Sequence, residues 1–177
     1  MLHRKTQPGG AGAQAELPSI CHEAPSALMA VWHNVVIVVW NAQATMALIA
    51  ELDKTIARGM LATGKFSALH VALGGMSPPD SQVRAALDLL TKRVAPSIVG
   101  SALVVTGGGF RASALRSFVT GLQLVRERDL RVHVFSSIDE VASWLPPIHA
   151  ESGVSIEVAE LRTILQGLVD RATAAAR

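Results

Sequence analysis

The chain has 177 residues, half of them apolar and only 17% charged, which suits one domain with a buried core and excludes general disorder. Three Trp, four Phe and no Tyr make a poor base-stacking surface, and a net charge of +2 on dispersed arginines points away from nucleic acid as a partner. The lone cysteine, Cys21, rules out an intramolecular disulfide and a Cys-rich metal cluster.

Met1 to Glu16 lacks the apolar core of a signal peptide, and the longest apolar run, Val35 to Trp40, is too short to span a bilayer. A cytoplasmic protein without a transmembrane segment is therefore expected. Residues 1–26 carry Pro8-Gly9-Gly10-Ala11-Gly12-Ala13, then Pro18 and Pro25, with no periodic apolar face; they read as a flexible leader. Ala27 to Val31 and Val35 to Trp40 are apolar runs around Trp32-His33-Asn34, the pattern of two antiparallel strands joined at His33-Asn34. From Ala42 to Ala62, Met46, Ile49, Leu52, Ile56 and Met60 recur at three- and four-residue intervals and predict a helix with a core-facing stripe. Gly64 closes that connection. Phe66 to Leu73 reads as the next strand, with His70 inside it as a hydrogen-bonded structural residue.

A second helix is predicted behind Gly74-Gly75-Met76-Ser77-Pro78-Pro79-Asp80-Ser81, with Ser77 as N-cap, Pro78 at the first helical position and Asp80 three residues after the cap. Val83, Leu87, Leu90 and Val94 mark its buried face, and Pro96 ends it. Ala102 to Val105 is a short apolar run bounded by turn residues, read as a strand covered on both faces. Gly107-Gly108-Gly109 lets the chain reverse, and Phe110, Ala114, Leu115, Phe118, Leu122 and Val125 predict a helix over Phe110 to Arg126. Leu130 to Phe135 alternates as a sheet-edge strand. Ser137-Ile138-Asp139-Glu140 is a capping box opening a short helix that ends at Pro146-Pro147. Residues 148–177 comprise a linker and an amphipathic helix with Ile156, Leu161, Ile164, Leu165, Leu168, Val169 and Ala172 on one side. That helix packs on its own domain or lies against a partner, which includes a second copy.

The predicted fold is an α/β domain over residues 27–147: a mixed, largely parallel sheet of about five strands covered by helices, followed by an extra C-terminal helix. In that order, Ala27 to Pro146 resembles the SpoIIAA-like, or STAS-like, domains of bacteria. The segment Val134-Phe135-Ser136-Ser137-Ile138-Asp139-Glu140-Val141-Ala142-Ser143-Trp144-Leu145 is similar to their final strand and helix. In the anti-sigma-factor antagonist branch, a serine or threonine in an Asp-Ser-Ser/Thr-Gly-like context starts the helix after the third strand. A kinase phosphorylates it and so switches partner binding. Asp80-Ser81-Gln82-Val83 stands at the matching turn; Asp80 and Ser81 fit, while Gln82 and Val83 depart from the pattern. The resemblance thus implies Ser81 as a candidate phosphorylation site and a kinase or other regulator as partner.

The turn Thr106 to Arg111 lacks the order of a P-loop, and Ala112 takes the last position of a dinucleotide-type glycine pattern. No spacing of His, Cys, Asp or Glu indicates a metal site, a cofactor or a catalytic set. The expected function is a non-enzymatic regulatory or protein-interaction module. Its partner-binding face is predicted at Ser77, Asp80, Ser81, Arg84, Gly107, Gly108, Gly109 and Arg111, on two strand-to-helix turns at one end of the sheet. Two alternatives are a small-molecule or lipid carrier with an apolar pocket, and a phosphate-handling enzyme using the Gly107 to Gly109 turn.

Overall fold

In a computed structural model the described residues are 16–74, 79–106 and 132–177. They form a six-stranded sheet in the order β1-β2-β3-β4-β5-β6. The strands are β1 (Ser19–Ala24), β2 (Ala27–Trp32), β3 (Val35–Trp40), β4 (Phe66–Ala72), β5 (Ile98–Val105) and β6 (Val132–Phe135). The β1/β2 and β2/β3 pairs are antiparallel, and the β3/β4, β4/β5 and β5/β6 pairs are parallel. Helices α1 (Met46–Gly59) and α2 (Ser81–Val94) lie on one face; α3 (Ile138–His149) and α4 (Val158–Ala175) lie on the other.

Two cores result. Met29, Val36, Val38, Trp40, Phe66 and Ala68 meet Leu48, Ile49, Leu52 and Ile56 of α1 and Val83, Leu90 and Val94 of α2. On the opposite face, Leu28, Trp32, Val35, Ile37, Leu69, Val71, Ala102 and Val104 meet Val141 and Leu145 of α3 and Leu161, Leu165 and Leu168 of α4. Strands covered on both sides carry apolar residues at consecutive positions, which explains the unbroken Val-Val-Ile-Val-Val-Trp of β3.

The β2–β3 hairpin closes on two residues with positive φ, His33 (46°) and Asn34 (62°), the backbone of a type I′ turn. Asn34 tolerates this conformation and spends its side chain on Thr63 Oγ1, to which its Nδ2 donates at 3.0 Å. Helix α1 starts later than the periodicity predicts. Thr45 caps it, accepting from Leu48 N at 3.3 Å, so Met46 falls in the first turn and stays exposed. Gly64 (φ 71°) then turns the chain toward β4.

Residues 16–26 depart from the expected leader. Ser19–Ala24 pair with β2 through Ile20↔Ala30, His22↔Met29, Glu23↔Leu28 and Ala24↔Ala27, with an irregularity at Cys21. The strand is set by the free edge that β2 offers, because strand formation depends on cross-strand packing more than on intrinsic preference. Strand β5 is longer than Ala102 to Val105. Gly100 and Ser101 interrupt the apolar run, yet Gly100 is required: a Cβ there would lie 2.8 Å from Ile148 Cγ2 on α3.

The capping box at Ser137 is present, with Ser137 Oγ accepting from Glu140 N. Ser136 and Ser137 N–H groups hold the Glu140 carboxyl below the ordinary carboxylate range. The helix does not stop at Pro146-Pro147 but runs through both to His149. The carbonyls of Ala142 and Ser143 thereby lose their i+4 donors, a cost offset by burying Leu145, Pro146 and His149. Helix α4 packs on its own sheet, so residues 148–177 share the core of residues 27–147. Arg171 forks onto Glu23 of β1 at 2.7 and 2.6 Å. The predicted helix over Phe110 to Arg126 lies outside the described residues, as do Leu130 and Arg131.

Two helical glycines predict opposite responses to the same change. A Cβ on Gly59 would sit 2.6 Å from Val36 Cγ2, a stiff side chain in the core. Gly59→Ala is expected to destabilise by about 1–3 kcal/mol, reduced by up to about 1 kcal/mol of helix propensity. Gly167 meets nothing within 4 Å, so Gly167→Ala is expected to stabilise by about 0.5–1 kcal/mol. Thermal or urea midpoints of the two variants check the signs.

Candidate functional site

The parallel strands end level with one another. Trp40 pairs with Ala72 and Ala72 with Val105; Leu73 N donates to Trp40 O at 3.0 Å, and Thr106 N to Ala72 O at 3.1 Å. Thr106 Oγ1 donates to the same carbonyl at 3.2 Å. The chain therefore leaves β4 and β5 at one rim. A Cβ on Gly74 would lie 3.6 Å from Thr106 O, so the chain leaves the two strands at adjacent points. This is the carboxyl end of the strands, where open α/β sheets place their ligand and partner sites.

Beyond the rim, α2 begins at Ser81, and its N-cap is Asp80 rather than Ser77. Asp80 Oδ1 accepts from Val83 N at 2.9 Å. The expected start, with Ser77 as cap and Pro78 at the first helical position, gives way to the carboxylate next to the first helical residue. Ser77 and Pro78 lie outside the described residues, as do Gly107, Gly108, Gly109 and Arg111. Asp80, Ser81 and Arg84 are exposed on the first turn of α2. Arg84 Nε donates to Asp80 O at 3.4 Å, and Ser81 and Arg84 are one helical turn apart. A phosphate on Ser81 would meet the positive end of α2 and an arginine at i+3, beside one fixed carboxylate.

Under the rim, Trp40 Nε1 donates to His70 Nδ1 at 3.1 Å, and the two rings stack with centroids 6.1 Å apart. Burial pushes the His70 pKa down to about 4, so at neutral pH its imidazole is an uncharged acceptor for the indole. His70 is thus the hydrogen-bonded strand residue the sequence suggests.

The opposite rim holds a group that sequence reading passed over. His149, at the end of α3, is wholly buried. Its Nε2 lies 2.7 Å from His33 O in the β2–β3 turn, and its Nδ1 lies 2.8 Å from Ser67 Oγ on β4. Only Nε2–H satisfies a carbonyl, so Nδ1 accepts from the Ser67 hydroxyl. Ser67 is also sealed from solvent, and a Ser–His pair without access is a structural link. Nothing in the spacing of residues 67 and 149 announces it, because the strand and the helix end meet only in the folded chain.

His133, Phe135 and Trp144 cluster where β6 meets α3, with ring centroids 4.6–6.1 Å apart. An open groove between α3 and α4 is lined by Ile138, Asp139, Arg162, Thr163, Gln166 and Asp170, with Arg162 and Asp139 paired at 2.5 Å. Among the described residues no three His, Cys, Asp or Glu side chains gather to hold a metal, and no helix is long and apolar enough to cross a membrane.

No family model, no curated protein and no solved structure matches the chain.

Proposed function

We propose that this chain is a cytoplasmic, non-enzymatic interaction module of the SpoIIAA-like or STAS-like kind. It engages a regulatory protein or kinase through the rim where β4 and β5 end. The observation that supports this reading is the level register of the two strands, Ala72 beside Val105, which ends both strands at one edge. Asp80, Ser81 and Arg84 supply exposed polar groups there, and Ser77, Gly107, Gly108, Gly109 and Arg111 complete the face in this proposal. Ser81 is its modification site, because a phosphate at the first helical position would reverse the local charge that a partner reads.

The test uses variants that keep the fold. Asp80→Asn retains a capping side chain, and Arg84→Glu places an acid near the positive end of α2. Both should unfold at the wild-type midpoint. Partners captured by the wild-type chain in its host extract should be lost with the double variant, and phosphosite mapping of the same sample should find Ser81. Undiminished capture by the double variant would sink the assigned face.

A further inference from the structure

The last turn of α3 is held unlike the rest of the helix. Pro146 and Pro147 bring no N–H, so two intrahelical bonds are missing just before His149. A 3-10 turn, Ala150–Ser152, follows and ends on Gly153 at φ 85°, a left-handed position. The segment is thus bracketed by prolines and a glycine, and His149 fastens it to the sheet. One imidazole joins three elements: α3, the β2–β3 turn through His33 O, and β4 through Ser67 Oγ.

We propose that His149 is an acid-sensitive latch, whose protonation frees the end of α3 and the turn after it from the sheet.

The geometry works for the neutral ring alone. Protonated, Nδ1 becomes a donor, and the buried Ser67 hydroxyl loses the acceptor for its own proton. Among the described residues, the groups within hydrogen-bond reach of the ring are a carbonyl and two hydroxyls. Ser67 stands on β4, and Ser152 Oγ is 3.4 Å from Nε2 in the 3-10 turn. From the β2–β3 turn comes the His33 carbonyl together with the His33 ring, which pairs with Glu16 at 3.3 Å and adds like charge when protonated. Lys65 ahead of β4 and Glu151 in the 3-10 turn are solvent-exposed. Burial accordingly lowers the His149 pKa. The latch is closed at neutral pH and opens as pH falls below the ordinary histidine value.

Hydrogen exchange on the full chain, corrected for intrinsic rates, reads the opening. Between about pH 7.5 and about pH 5.5, the amides of residues 148–154 should open up to about tenfold more per pH unit below about 6.5. The response should persist in His70→Asn and vanish in His149→Gln. No response in the wild-type chain, or the same response in His149→Gln, overturns the proposal. Should His149→Gln fail to fold, the wild-type His149 ring resonances decide. A midpoint below the ordinary histidine value supports the latch, and one at or above it rejects it.

Discussion

Leu165→Ala is expected to cost about 2–5 kcal/mol of stability, enough to unfold much of a marginally stable domain. Leu165 has no exposed surface and sits in the core where α4 covers the sheet. The core cluster it belongs to takes side chains from the sheet and from α3. Leu28, Val35 and Ile37 lie in the sheet, and Leu145 lies on α3. The sheet residues of this cluster are fixed by ladder pairing, so the site collapses poorly around a lost isobutyl group and the upper part of the range applies. Were α4 instead a detachable arm for a partner, the same change would be worth a few tenths of a kcal/mol, as at an exposed position. Urea unfolding of the purified chain separates the two outcomes. Removing α4 altogether would uncover the apolar face it covers on β1, β2 and β3, a surface that aggregates.

Acid should weaken the fold well before carboxylates titrate. His70 is held near pKa 4 by burial, against about 6.5 in the unfolded chain. Between those values the unfolded chain carries a proton that the folded one refuses, so stability rises with pH. The contribution is therefore complete above about pH 6.5 and is lost as pH falls toward 4, amounting to about 3 kcal/mol. His149 is lowered in the same direction, also chiefly by burial. Glu23 and Glu140 are lowered by their hydrogen bonds, Glu23 to Arg171 and Glu140 to Ser136. They lose stability only below the ordinary carboxylate value, a more acid window. Urea midpoints measured from about pH 7.5 to about pH 4.5 should fall along this course. His70→Asn keeps an acceptor for the Trp40 indole and cannot titrate, so it should flatten the slope. A wild-type midpoint independent of pH across this window would remove His70 from the account.

The hairpin at His33-Asn34, strands β3 and β4, helix α1 and the capping box of α3 are all readable in the chain. Each rests on a local signal: a two-residue turn, an apolar run, a 3.6-residue period, or a Ser followed at the third position by Glu. The local pattern put the cap of α2 at Ser77 and its first turn at Pro78, whereas Asp80 is the cap and the helix starts at Ser81. Both have suitable side chains, and only the placement of the first helical turn selects one.

Composition and periodicity by themselves determined an α/β domain with antiparallel and parallel parts, because burial on two faces leaves a continuous apolar strand and burial on one leaves a striped helix. The tertiary structure decided what these patterns do not carry. It made Ser19–Ala24 a strand, because β2 had an edge to fill. It drew α3 through two prolines, because Leu145, Pro146 and His149 had a sheet to bury against. It brought Ser67, His33 and His149 to one point. Contacts between residues far apart in sequence have no local signature, and their energy exists only once the chain has closed around them.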